Sequence, residues 1–129
     1  MDIATIIDDT LKQSKAGKIH FGQVIATLMQ AGVESYQVDY RANRATYYLP
    51  DSETYTFELS TESSKIAKEF SEMQIKAAIL GAQSGQVMYP EFIELSQSAG
   101  CIGYIVWISG KHVSYYGRCG EVHIEPFPN

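Results

Sequence analysis

The chain has 129 residues, 45% of them hydrophobic and 19% charged, the make-up of a folded domain rather than a disordered segment. Its formal charge of −5 and its ten scattered Lys and Arg residues supply no basic patch, which argues against nucleic acid as the main partner. The longest apolar run, Cys101 to Ile108, falls far short of the roughly 20 residues a membrane-spanning helix needs. Acidic Asp2 also stands where a signal peptide carries positive charge, so a cytoplasmic protein is expected.

Ile3, Ile6, Ile7 and Leu11 recur at helical spacing and predict a helix from about residue 2 to 15, ended by Gly17. Phe21, Val24, Ile25 and Leu28 fall at i, i+3, i+4 and i+7 and predict a second helix before Gly32. The period then changes from 3.6 to 2. Tyr36, Val38 and Tyr40 alternate with Gln37, Asp39 and Arg41, as in a half-buried strand. Ala42–Ala45 reads as a turn into Thr46–Leu49, and Pro50–Ser52 as a turn into a third strand with Tyr55, Phe57 and Leu59 on one face.

The cluster Ser60–Ser64 offers N-caps for a third helix whose apolar stripe is Ile66, Phe70, Met73 and Ala77. Pro90 and Glu91 suit the first turn of a fourth, with Phe92, Ile93 and Leu95 on its buried side and Gly100 at its end. Cys101 to Ile108 is apolar on both faces, the mark of a central strand. Ser109–Lys111 turns into Val113–Tyr116, and Gly120 into Glu121–Glu125.

The second half repeats the first at an offset of 68 residues, without a gap. Ala31-Gly32 returns as Ala99-Gly100, Tyr36 as Tyr104, Val38 as Val106, Tyr47-Tyr48 as Tyr115-Tyr116 and Glu53 as Glu121. Upstream, Gly17 pairs with Gly85, Ile19 with Val87, Phe21 with Tyr89 and Ile25 with Ile93. The expected fold is therefore α+β: one domain of two pseudo-symmetric helix-helix-strand-strand-strand repeats, about residues 1–60 and 61–129. These would form one antiparallel sheet of about six strands, packed by helices about a pseudo-twofold axis.

The segments AGVESYQVDYRANRATYYLPDSETY and GQVMYPEFIELSQSAGCIGYIVWISGKHVSYYGRCGEVHIEPFP together resemble the YbcV-like proteins. These are small bacterial and prophage-associated proteins of unknown function, some labelled phage envelope protein. The resemblance runs from about Gly17 onward and is most specific in TYYLPDSET and YYGRCGEVHIEPFP. It implies no catalytic residue and no cofactor, and it is compatible with a phage or host-interaction protein that acts by stoichiometric association.

The densest set of reactive groups lies at the C-terminal end. Glu121, His123 and Glu125 alternate with Val122 and Ile124, so in a strand they share one face, where a carboxylate could orient a general acid/base histidine or hold a cation. The same pattern suits the wet face of an antiparallel strand, and that is the expectation here. Cys119 beside Arg118 could form a nucleophilic pair with His123 or His112, although its counterpart in the first half is Asp51, a turn position. Tyr47, Tyr48, Tyr115 and Tyr116 recur in both halves; one of each pair should be core, and the other could line a groove for a planar ligand or a peptide. Glu53 and Glu121 would form a two-carboxylate site if the axis brought them together.

No zinc, P-loop, HExxH or GxSxG spacing occurs, so neither a metal nor a cofactor is expected. The reading that follows is a non-catalytic binding or interaction module for a protein or a small-molecule ligand. The alternative is a small hydrolase or isomerase-like enzyme using His123 with Glu121 or Glu125, or Cys119. Two open sheet edges also leave pairing into a homodimer available.

Overall fold

A computed structural model describes residues 2–59 and 66–128 of the chain. Helix α1, Ile3–Lys15, begins where the Asp2 carboxylate accepts a 2.8 Å hydrogen bond from the Thr5 amide. That bond holds the Asp2 carboxyl below its ordinary range. Helix α2, Phe21–Ala31, starts with the Gln23 side chain accepting from the His20 amide at 2.7 Å. It ends at Gly32, whose φ of +94° lets the amides of Gly32 and Val33 reach back to the carbonyls of Met29 and Leu28.

Strands β1, Ser35–Asp39, β2, Arg44–Tyr48, and β3, Thr54–Glu58, follow as a meander. The Asp39 carboxylate fastens the first hairpin by accepting from the Arg41 and Ala42 amides at 3.1 and 3.0 Å. Helix α3, Glu72–Gln83, is capped by Ser71, and α4, Tyr89–Ser98, carries Pro90 in its first turn. Strands β4, Cys101–Trp107, β5, His112–Gly117, and β6, Val122–Pro126, complete the order.

All six strands form one antiparallel sheet in the order β3-β2-β1-β4-β5-β6, with the helices against one face. The α+β class expected from the sequence is the one observed. The register itself is twofold: Tyr36 opposes Tyr47 as Tyr104 opposes Tyr115, and Tyr47 opposes Tyr55 as Tyr115 opposes His123. At the centre Gln37 opposes Ile105, its own counterpart, so the symmetry axis passes through that pair. The left-handed backbone positions obey the same offset, Asn43 with Lys111 and Ser52 with Gly120.

Three expectations fail in detail. The stripe Ile66, Phe70, Met73 and Ala77 is not the buried face of α3. Ile66 and Phe70 precede the helix, Met73 is 82% exposed, and the face turned inward is Ile75, Ala78 and Ile79. Helical spacing is there, but Ile75 and Ile79 lie two residues, about half a turn, from Met73 and Ala77. The cap proposed at Ser60–Ser64 lies outside the described residues, and Ser71 performs that role for α3. Leu95 is exposed, since Phe92, Ile93 and Ser96 already fill the inward side of α4.

Gly32 and Gly100 occupy equivalent helix ends with φ of +94° and +86°, yet only Gly100 is crowded. A Cβ there would drive into the backbone carbonyl of Glu69, whereas nothing lies within 4 Å of one on Gly32. Gly32→Ala is expected to cost about 1 kcal/mol through backbone conformation alone. Gly100→Ala should cost roughly 3 kcal/mol, because displacement of Glu69 is added. Urea midpoints of the two variants test the difference, and equal losses would contradict it.

Candidate functional site

Strand alternation sends Tyr36, Tyr47, Tyr104 and Tyr115 to the helix-covered face of the sheet. Tyr36 stacks on Tyr47 with ring centroids 5.0 Å apart and 24° between planes. Tyr104 sits beside Tyr115 at 5.5 Å and 40°. The two pairs stand on either side of the axis, and above them the α1–α2 and α3–α4 hairpins meet. At this seam the packing is incomplete, leaving a cleft that encloses about 70 Å³.

The walls of the cleft follow the twofold pattern: Leu11 and Ile79, Val24 and Phe92, Ser14 and Ala82 are equivalent pairs that face it. His20, Gln83 and Phe127 stand at its mouth, where the Phe127 ring meets Phe21 edge-on at 5.9 Å. Two phenols bordering this region are satisfied internally. Tyr40 shares a 2.8 Å hydrogen bond with Ser96, and Tyr104 donates to the Tyr89 hydroxyl at 3.1 Å. The hydroxyls of Tyr36, Tyr47 and Tyr115 have no hydrogen-bond partner among the described residues, although these side chains are only 4–5% exposed. Burial raises all three phenols above the ordinary tyrosine range and pushes Tyr89 up to about 12, so they stand as neutral hydroxyls.

Beside the cleft lies a second cluster. The ring of His123 is stacked near Tyr115 at 6.4 Å; its Nδ1 lies 3.0 Å from the Glu72 carboxylate and its Nε2 2.9 Å from that of Glu125. Both ring nitrogens are therefore engaged. Glu125 also borders the cleft, whereas Glu72 projects into solvent from the first turn of α3.

This arrangement corrects the expected wet face. His123 is 7% exposed and points under α3, while Val122 and Ile124 are 46% and 57% exposed on the open side. β6 is an edge strand, and the carboxylates on both sides of His123 replace the water that its imidazole loses on burial. Glu121 does not join them. Its carboxylate folds back on the 117–121 turn to accept from the Cys119 amide at 2.9 Å.

Glu53 occupies the equivalent turn, where it accepts from the Tyr55 hydroxyl. Glu53 and Glu121 flank opposite edges of the sheet, five strand spacings or about 24 Å apart, so they form no two-carboxylate site. Cys119 is exposed with no hydrogen bond to His123 or to His112, which lies at the far end of β5 bonded to the Gly110 carbonyl. Arg118 reaches away, donating to the Ile66 carbonyl at 3.2 Å. Cys101 is buried, and burial pushes its thiol up to about 11.

Of the four repeated tyrosines, Tyr47 and Tyr115 line the cleft, and Tyr48 and Tyr116 lie half-buried on the opposite face. Sequence reasoning missed Tyr36, Tyr104 and Glu72 as site residues. The first two were visible as one of the repeated matches. Glu72 carries no such signal, because only the fold brings it to a histidine 51 residues away.

Among the described residues no group of three His, Cys, Asp or Glu side chains is arranged to hold a metal ion, and no helix is long and apolar enough to cross a membrane. Residues 44–126 match the family described as protein of unknown function (DUF1398), over more than half of the chain. No curated protein matches the sequence.

Two outcomes follow from the geometry. His123→Leu strips Glu125 of its donor next to the core and should cost about 1–3 kcal/mol, while Glu72→Gln, at the exposed end, should cost under about 1 kcal/mol. Denaturant titration of both variants checks the order. Stability should also fall at alkaline pH. The buried phenols of Tyr36, Tyr40, Tyr47, Tyr104 and Tyr115 hold their protons above the ordinary range, whereas the unfolded chain releases them near pH 10. Above that pH the folded state binds more protons, so stability is complete below about pH 10 and declines beyond it. A urea midpoint that holds steady to about pH 11 would contradict this.

Proposed function

The chain thus belongs to the DUF1398 family, whose description assigns no activity, and from the geometry of its cleft we propose that it is a non-catalytic binding module for a small-molecule ligand. The carrying observation is a single one: an apolar cleft of about 70 Å³ at the junction of the two halves, floored by tyrosines whose hydroxyls lack protein partners. Native cores close such gaps, and the three hydroxyls are not among the fully buried unpaired polar atoms of the described residues, so they keep access to what enters the cleft. A site on a symmetry axis also suits an origin by duplication, in which two half-domains gained one shared cleft. In this reading the chain folds as one domain and works in the cytoplasm.

A second reading, an enzyme of the isomerase or hydrolase type, draws on Glu125, whose carboxylate borders the cleft while His123 holds it. His123 itself has no ring nitrogen left for a substrate. Glu125→Gln would separate the two readings: a binding module keeps its ligand affinity and shows no turnover to lose.

Thermal unfolding against a panel of uncharged metabolites, nucleotides and divalent cations tests the proposal. A ligand at one hundred times its Kd adds about 2.7 kcal/mol, a rise of several degrees for a domain of this size. Ala82→Leu fills the cleft from α3 and is expected to abolish that rise while leaving the unliganded midpoint within a few degrees. A rise that survives Ala82→Leu would place the ligand elsewhere and remove the cleft from the argument.

A further inference from the structure

The floor and walls of the cleft restrict what it can take. Resting on the reading of the cleft as a ligand site, we infer that its ligand is an uncharged organic molecule with an apolar body. It carries a carbonyl or hydroxyl oxygen that engages the hydroxyls of Tyr36, Tyr47 and Tyr115.

Three observations carry this. First, no lysine or arginine lines the cleft among the described residues. The histidine that borders it, His20, is exposed at the mouth, so a carboxylate or phosphate reaching the interior would give up hydration with no cation beside it in return, a loss such groups avoid. Second, an organic cation has little to gain there. The one bordering carboxylate among the described residues, Glu125, is already engaged by His123 at 2.9 Å. Cation–π attraction needs an open ring face, and the Tyr36 and Tyr47 rings each turn one face on the other at 5.0 Å, as Tyr104 and Tyr115 sit together at 5.5 Å. Third, the three hydroxyls are donors in want of an acceptor. Each belongs to a residue at most 5% exposed, none has a protein hydrogen bond among the described residues, and none of the three oxygens is fully sealed from solvent.

Size adds a further restriction. The enclosed 70 Å³ is about half of the roughly 150 Å³ cavity that admits a benzene molecule. It has room for the oxygen-bearing end of a ligand and a few carbons. The remainder of the body would lie at the mouth, against the paired rings of Phe21 and Phe127.

Four probes with the same phenyl body separate the possibilities: acetophenone, benzoate, benzylammonium and ethylbenzene. Each would be titrated into the full-length isotope-labelled protein and followed by amide shifts. Acetophenone should bind at least about tenfold more tightly than the other three, the weight of one hydrogen bond to a buried donor. Its shifts should centre on residues lining the cleft. Tyr36→Phe and Tyr115→Phe keep the rings and remove only the hydroxyls, and together they should reduce acetophenone to the affinity of ethylbenzene. Preference for benzoate or benzylammonium would overturn the ligand class while leaving the cleft as a binding site. Equal binding of ethylbenzene would overturn the role of the hydroxyls. Shifts from no probe at the cleft would overturn both this inference and the reading it rests on.

Discussion

The antiparallel pairing of β1 with β4 is the constraint on which the remaining structure depends. Each half contributes two helices and three strands, roughly 60 residues, a size at which burial of apolar surface is marginal. Apart, the halves would expose β1 and β4 as bare edges with unpaired amides and carbonyls. Joined through Gln37 and Ile105, these two strands become the centre of the sheet, and Val38, Tyr104 and Val106 are sealed beneath the helices. Only this pairing makes a core that spans both halves.

The cleft is a consequence of that join. Two helix hairpins laid side by side on one sheet leave a seam above the axis, and side chains from the sheet must fill it. Tyrosine fills it incompletely. Its ring packs well against neighbouring rings, as Tyr36 does on Tyr47 and Tyr104 on Tyr115, but its hydroxyl resists contact with Leu11, Val24 or Ile79. Phenylalanine at the same positions would let the walls close on an apolar floor. The polar tips keep the seam from becoming ordinary core, which is how a packing defect acquires chemical preference.

Much of this was legible in the chain. Period-3.6 and period-2 patterns located the helices and strands, and the register mirrors the 68-residue offset, as do the left-handed positions at Asn43 and Lys111, which the sequence reading did not single out. What failed did so for physical reasons. Periodicity fixes the spacing of a stripe and leaves its phase open, so the stripe ending at Met73 and Ala77 could not be told from the true one at Ile75, Ala78 and Ile79. Alternation likewise separates the two faces of a strand without saying which is inside. On β6 the polar face went in, because Glu72 arrives from a distant helix to satisfy His123. Long-range partners of that kind leave no mark on local sequence.

Three departures from symmetry meet beside the cleft. His123 stands where the first half has Tyr55, Glu72 where it has Ala4, and Glu125 where it has Phe57. All three changes fall in the same cluster, and together they replace an apolar or phenolic corner by an imidazole held between two carboxylates. Each ring nitrogen of this buried histidine has a carboxylate within hydrogen-bond distance, so the three residues form one contact unit. Glu125 borders the cleft, whereas its counterpart Phe57 packs edge-on against Tyr47, so the two sides of the seam differ in chemistry. The cleft therefore has a direction, although the strand register around it is twofold.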